Sequence, residues 1–458
     1  MSELNFRARE SNPATIFIYM VGSLITISLL YEAVDHVWGS GEAIKETWTV
    51  LQLIIVDDDS WWPMYNAAKV WIHGHEIYQT IFFEERMKFQ YPPLSILPFI
   101  VLIKLGLGWE AIREIANTLS YASIFILAVF IYEIIVSTFK NLSKESYLSW
   151  RHRVVIFAIS LVGTFGFDAI IRAQYLGQVQ VLLDVVIGLA FLLFLTNRKY
   201  FSGACLAVAA LVKPQFTLVL FWALLRKEKE LVVGMILVFI PAGIVSLYVF
   251  GFDEHVHYLD TLSLMGKHGE AYWPNQSING LLHRLLSDVN SLEFPVNSYA
   301  PYNPIVHVTT LVTTVMLILL GLFYRVGNRH PVSEGVQSIW SALDLATMLL
   351  LATIASPIAW YHHYGILWPL FVATFVVVAC YSCKKKRDQS IIVVSWLLGI
   401  SFLLISNRFP AIASEPFSSS PINLLQSYYL FGAFLMLAVL LILRRYLAGY
   451  AQTDQAGV

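Results

Sequence analysis

Long apolar runs recur along almost the whole chain, and they set its fold class before any other feature. Residues 14–32, 115–137, 154–171, 231–250, 305–324, 339–355, 365–382, 390–406 and 424–443 are dominated by aliphatic and aromatic side chains. About twenty such residues in a helix cross the hydrocarbon layer of a bilayer. The chain therefore reads as an all-α polytopic membrane protein, one domain over 1–458, with about twelve spanning or re-entrant helices. Only 13% of its residues are charged, roughly half the share of a soluble domain. The net charge of −1 argues against a nucleic-acid partner. Cys205, Cys380 and Cys383 lie in or beside apolar runs and show neither a disulfide pattern nor the second ligand pair of a zinc site. They read as small buried thiols. The first run is too long for a signal-peptide core and no small-residue cleavage site follows it, so it reads as a membrane anchor.

Basic residues orient the runs. Arg7 and Arg9 precede the first, which places residues 33–92 outside. Lys140, Lys144, Arg151 and Arg153, then Arg198 and Lys199, Arg226 to Lys229, Arg325 and Arg329, Lys384 to Arg387, and Arg444 with Arg445 mark the cytoplasmic ends. Two segments resist full crossing. Residues 93–108 begin at Pro92-Pro93 and contain Pro98, and two crossings before residue 138 would put the next basic loop on the wrong side. This segment is expected to be re-entrant or in-plane. Residues 200–225 have basic groups at both ends, yet each half reaches only about 18–20 Å against roughly 30 Å of hydrocarbon. They are expected to form a hairpin of two half-helices with Lys213-Pro214 at the tip. A short external turn is expected at 172–180, and a second large external loop at 251–304.

Polar groups gather on the outer side of this topology. Asp57, Asp58 and Asp59 end the first loop, beside Trp61 and Trp62. Trp38, Trp48, Trp61, Trp62 and Trp71 suggest that this loop lies on the membrane surface, although an interfacial belt accounts for most of them. Arg172, Gln174 and Gln178 lie in the next turn, Lys213 at its hairpin tip, and His362-His363 after a further span. A lysine in the membrane needs a polar cavity or an anion. Fixed cations neutralise a departing phosphate, and a carboxylate can take the proton of an attacking hydroxyl. Together these groups suit transfer of a sugar from a lipid phosphate. Each has a plainer reading: the aspartates as solvated groups or helix caps, Arg172 as a snorkelling side chain, the histidines as interfacial. Asp184 and Asp344 lie within spans and are expected to bond between helices.

The motifs in order resemble glycosyltransferase family 87, the polyprenol-phosphate-mannose-dependent mannosyltransferases with a GT-C fold. The residues concerned are Asp58-Asp59-Ser60-Trp61, Tyr65-Asn66-Ala67-Ala68, Gly74, Tyr78 and Phe89-Gln90-Tyr91-Pro92-Pro93-Leu94. They continue with Gly177-Gln178-Val179-Gln180, where Gln180 replaces the family's Asn, then Lys213-Pro214, Asn275 to Gly280, and Trp360-Tyr361-His362-His363. The resemblance covers roughly residues 55–365. It implies an inverting transfer with an aspartate of the first external loop as general base. Asp58 or Asp59 is expected in that role, with Asp57 behind them. It also implies phosphate-side contacts from Lys213, His362 and His363; Arg172 is expected beside them from its place among the outer-side polar groups. Substrate contacts are expected from Tyr65, Tyr91, Gln174, Gln178, Asn275, Gln276 and Asn279.

The implied partners are a polyprenyl-phosphate-linked sugar donor, a lipid or glycan acceptor, and membrane lipid. Mannose is the family's usual sugar. The implied place is the plasma membrane, with the site facing outside. The sequence requires no cofactor, and the Asp run is compatible with a divalent ion such as Mg or Mn. Two other readings stand beside this one: a lipid-linked oligosaccharide polymerase or ligase, and a non-enzymatic flippase or transporter. A flippase would show internal repetition and midplane charges; neither is evident.

Overall fold

Backbone polar groups find no water in hydrocarbon, so apolar runs must satisfy them internally, as helices. The computed structural model, which describes residues 12–52, 57–142, 148–287, 289–324, 333–384 and 388–453, follows that rule. The expected basic markers Arg7, Arg9, Lys144, Arg325, Arg329 and Lys385 to Arg387 lie outside the described residues.

Helix α1 (Pro13–Trp38) is capped by Asn12, whose side chain accepts from Ala14 N at 2.8 Å. The stretch expected as the first loop is largely helical: it forms α2 (Glu42–Leu51), α3 (Trp61–Ile72) and a π-helical turn (Gln79–Glu84). The Pro-Pro then opens a 3-10 turn and α4 (Leu97–Lys104), a short apolar helix below spanning length, as the proline pattern suggested. Helix α5 (Trp109–Leu142) is followed by α6 (Trp150–Phe165) and α7 (Asp168–Tyr175), bent by 50° between them. Arg172 and Gln174 therefore sit in a helix, and the turn expected over 172–180 begins only after Tyr175. Then come α8 (Gln180–Leu195), α9 (Lys199–Val212) and α10 (Leu218–Arg226).

Lys213, at φ −126° and ψ 95°, breaks the path between α9 and α10. The outer ends of the two halves meet, for Lys199 Nζ lies 2.7 Å from Glu228 Oε2. A hairpin whose two ends share one side of the bundle is the result. Helix α11 (Lys229–His268) continues well past residue 251, with a break at Gly251 (φ 75°). The loop expected over 251–304 is thus helical as far as His268, and α12 (Ile278–Leu286) interrupts it again. Helices α13 (Pro304–Phe323), α14 (Glu334–Ile354), α15 (Leu367–Lys384), α16 (Gln389–Ser406) and α17 (Tyr428–Thr453) complete the chain.

Among the described residues, eight helices are long and apolar enough to cross a membrane, or nine if the bent pair counts as one span. α14 and the Tyr361–Cys383 segment are the most enclosed by protein, whereas α11 and α13 carry Leu237, Ile244, Leu247, Leu311 and Met316 on their outer surfaces. An apolar exterior of this kind is what a lipid-facing helix requires.

Side-chain bonds identify the two ends of the bundle. At one end, Asn141 Nδ2 and Ser338 Oγ both donate to Leu195 O at 3.1 Å. Asp344 there binds Arg226 at 2.6 Å and Arg444 at 2.8 Å, the inter-helix role expected of it. The aspartate triplet, the end of α7 and Trp360 to His362 gather at the opposite end, and a cavity opens among them.

Candidate active site

The acids are placed by backbone pairing with the turn after α7. Asp59 N donates to Leu176 O at 3.0 Å and Ser60 N to Gly177 O at 3.2 Å. Gly177 has φ +60°, and a Cβ there would stand 2.4 Å from Asp57 O. Only glycine allows this approach. Side chains then run in sequence toward one carboxylate. Ser60 Oγ bonds to Tyr91 Oη and donates to Gln178 Oε1, both at 2.7 Å, and Gln178 Nε2 donates to Asp59 Oδ2 at 3.1 Å. Burial pushes the Tyr91 phenol up to about 12, so it keeps its proton.

The three aspartates line the same cavity but are not equivalent. Asp58 faces Arg113, whose Nε is 2.8 Å from Oδ2 and 2.9 Å from Oδ1. Asp59 has no cationic partner at bonding distance among the described residues. Its carboxyl is open to the cavity yet ringed by protein, and that desolvation, with Asp57 adding repulsion, pushes it up to about 6. A carboxylate poised near neutral pH suits proton abstraction.

A second wall carries Arg172. Its guanidinium donates to Glu46 and to Tyr361 Oη, and its carbon lies 5.2 Å from the centre of the Tyr175 ring. Glu46 is shared with buried Arg408, at 2.5 and 2.9 Å, and Arg408 also binds Asp168 at 2.8 Å. Tyr429 Oη donates to the other oxygen of Asp168 at 2.9 Å. Two acids and two arginines balance, which is what burial of charge demands. Arg172 is thus a fixed cation at the cavity wall and not a side chain reaching for the lipid surface. His362 lines the cavity as well, stacked on Trp360 and meeting the buried His363 ring edge-on at 4.8 Å. A third wall holds Lys88 and Glu270 in an ion pair. The cavity volume is about 850 Å³, within the usual range of small-molecule sites.

Other residues expected at the site lie elsewhere. Lys213 is not on the wall. Its Nζ donates to Gln180 Oε1 at 2.6 Å, and Gln180 Nε2 donates to Asp184 Oδ1 at 2.7 Å, in a buried cluster. Gln174 is buried off the wall, and Tyr65 packs against Trp62 and Trp109 outside it. The substrate contacts expected of Asn275, Gln276 and Asn279 give way to bracing of the backbone. Asn275 binds Glu270 O and Ala359 N, both at 2.9 Å. Gln276 binds Gln426 O at 2.7 Å and Tyr429 N at 3.1 Å. Asn279 accepts from Glu270 N at 3.2 Å. Buried amides that satisfy main-chain groups in this way have few bonds left for a ligand.

Sequence reasoning missed Glu46, Asp168, Arg408, Arg113 and the Lys88–Glu270 pair. Lys88 opens the run ending in Tyr-Pro-Pro, a usable hint; the others are single charges in ordinary surroundings. Among the described residues no three His, Cys, Asp or Glu side chains converge to hold a metal, and Asp58 is committed to Arg113. The described residues do not form the multi-carboxylate set of a hard cation.

No curated protein and no solved structure matches the chain. Residues 89–357 match the model of glycosyltransferase family 87. That stretch is more than half of the chain; the aspartates precede it and His362 follows it, so their roles rest on geometry. The chain belongs to glycosyltransferase family 87 and is a polytopic membrane glycosyltransferase.

Proposed function

We propose that this glycosyltransferase moves a hexose, with mannose as the first candidate, from a polyprenyl-phosphate sugar to a lipid or glycan hydroxyl on the outer face of the plasma membrane, with inversion at the anomeric carbon. The acceptor oxygen attacks C1 from the side opposite the phosphate. The C1–O bond to phosphate breaks and its electron pair leaves with the polyprenyl phosphate. The acceptor proton passes to Asp59. Arg172 and His362 face the leaving group, and a fixed guanidinium in a partly dry cavity offsets the charge that develops there. Tyr91, Ser60 and Gln178 orient the Asp59 carboxylate. We assign Lys213 to the support of the His362-His363 segment, through Gln180 and Asp184, in place of direct phosphate contact. Asp184 lies close to that segment: a Cβ on Gly365 would be 2.2 Å from Asp184 Oδ2.

The observation that carries this reading is that an unpaired carboxylate, Asp59, and a fixed cation, Arg172, share one cavity in a family 87 chain. Membranes containing the protein should be incubated with labelled polyprenyl-phosphate mannose and the products separated. Transfer to an endogenous lipid or glycan, with release of polyprenyl phosphate, is expected. Movement of the label across the membrane without transfer, or transfer only from a nucleotide sugar, would overturn the proposal.

A further inference from the structure

The Lys88–Glu270 pair has no part in the chemistry just described, yet it occupies the cavity wall at considerable cost. Glu270 is 1% exposed and Lys88 15%. Removing two charges from water is repaid only when their remaining bonding capacity is used. Here part of it is unused. Glu270 Oε2 is buried and has no hydrogen-bond partner among the described residues. Lys88 Nζ has three protons, and among the described residues its one hydrogen bond is to Glu270.

The surroundings are those of a carbohydrate site. The Lys88 ammonium lies 4.3 Å from the centre of the Phe294 ring and 4.8 Å from that of Tyr299. Phe294 meets Tyr272 at 5.5 Å and Trp360 at 5.5 Å. Apolar ring faces thus stand beside an acceptor with a free lone pair and a donor with free protons. A pyranose presents this combination in reverse, with a C–H face and a rim of hydroxyls.

The backbone of Glu270 is braced to a degree that positions its side chain. Its N–H is held by Asn279 and its carbonyl by Asn275. Gly269, at φ +62°, lets Asn279 close in, for a Cβ there would fall 1.7 Å from Asn279 Oδ1. The Asn-Gln-Ser-Ile-Asn-Gly loop, whose amides do not reach the cavity, thereby fixes a residue that does.

We infer that Lys88 and Glu270 form a hydroxyl-reading subsite for a pyranose ring seated on the Tyr272–Phe294–Trp360 aromatic wall, and that this pair sets sugar specificity. The inference rests on the glycosyltransferase reading above. The pyranose is either the donor hexose or an acceptor sugar, and the chemistry of recognition is the same for both. A site built to bond a hydroxyl discriminates strongly against its absence.

The test uses the full-length protein in detergent. Binding of farnesyl phosphoryl mannose and of farnesyl phosphate is followed by tryptophan fluorescence, and transfer to endogenous acceptor lipid is measured separately. Wild type should bind the sugar-bearing lipid at least tenfold more tightly. Glu270→Gln should erase that ratio and leave farnesyl phosphate affinity unchanged, which assigns the pair to the donor sugar. An unchanged ratio with a tenfold rise in acceptor KM assigns it to the acceptor. Neither change overturns the inference while leaving the transferase reading intact. Sugar-selective binding lost in Glu270→Gln, with no transfer by wild type, leaves the subsite standing and sinks the transferase reading. If wild type shows neither selective binding nor transfer, both fall. Should Glu270→Gln fail to fold, Lys88→Gln is measured instead, with Lys88→Arg expected to restore most of the selectivity.

Discussion

Arg113 holds Asp58 at 2.8 Å and gives it a partner that the neighbouring Asp59 lacks among the described residues. The guanidinium occupies both Asp58 oxygens, which leaves them fewer lone pairs for an incoming hydroxyl. Among the described residues Asp59, one residue on, receives the amide of Gln178 at 3.1 Å and no cation. Asp59→Asn should therefore lower kcat by about 10²–10⁴, the usual contribution of a general base. Asp58→Asn should cost much less. Single-turnover transfer in membranes measures both, and equal losses would contradict the assignment of Asp59.

The pH dependence follows from the environment of Asp59. Burial first, then the Asp57 charge, raise its carboxyl to about 6, while the Gln178 bond lowers it. The base works when ionised, so kcat/KM should fall as pH drops through about 6 and level off above it. Asp57→Asn removes a raising influence and should move this limb to lower pH. Gln178→Leu removes a lowering one and should move it to higher pH. A limb that neither substitution displaces would belong to another group.

Much of the bundle was legible because hydropathy is a local signal. The apolar runs, the short Pro-Pro segment and the Lys213-Pro214 hairpin follow from run length, proline and flanking charge. The acid-bearing wall was legible too, since Asp57–Asp59, Arg172, Gln178, Tyr91 and His362 do line one cavity. What escaped is non-local. Glu46 and Arg408 are 362 residues apart, and Lys88 and Glu270 are 182 apart. No periodicity links such pairs. Lys213 misled for a related reason: a lysine in the membrane needs a polar partner, and Gln180 of α8, itself bonded to Asp184, supplies one away from the cavity wall. Asn275, Gln276 and Asn279 look from sequence like ligand-binding amides, and only the fold shows their bonds spent on main chain.

The Glu46–Arg408–Asp168 network makes a prediction about stability. Arg408 is 3% exposed, so Arg408→Met would leave two acids buried with less compensation. Breaking one partner of a buried ion pair costs about 3–5 kcal/mol. Arg113→Met breaks a partly exposed pair and should cost about 0–1 kcal/mol. Unfolding of the two variants in one detergent should show a large loss for the first and little for the second. Similar losses would mean that the network is not the brace it resembles.

Gly269 offers a separate check on the bracing of Glu270. Its φ of 62° and ψ of −157° fall in a region essentially reserved for glycine, where other residues pay about 1–3 kcal/mol. Gly269→Ala should lower stability by that amount or more, since the new Cβ also displaces Asn279. Asn279→Ala, which frees Glu270 N, should weaken sugar discrimination with less loss of stability. If Gly269→Ala melts like wild type, the close approach does not constrain the loop.

The hairpin at Lys213 determines whether the loops on either side of it share a compartment. Helix α9 has 14 residues, about 21 Å at 1.5 Å each, too short for roughly 30 Å of hydrocarbon. The contact between Lys199 and Glu228 closes the hairpin at its base. In a background with Cys205, Cys380 and Cys383 replaced by alanine, Arg198→Cys and Glu230→Cys should be labelled by an impermeant maleimide from the same side. Ser298→Cys, at the cavity end, should be labelled from the other. In intact cells Ser298→Cys is expected to react at once, and the other two only after lysis. Labelling of Arg198→Cys and Glu230→Cys from opposite sides would show that residues 199–226 cross the bilayer. The alternation of every later span would then be reversed.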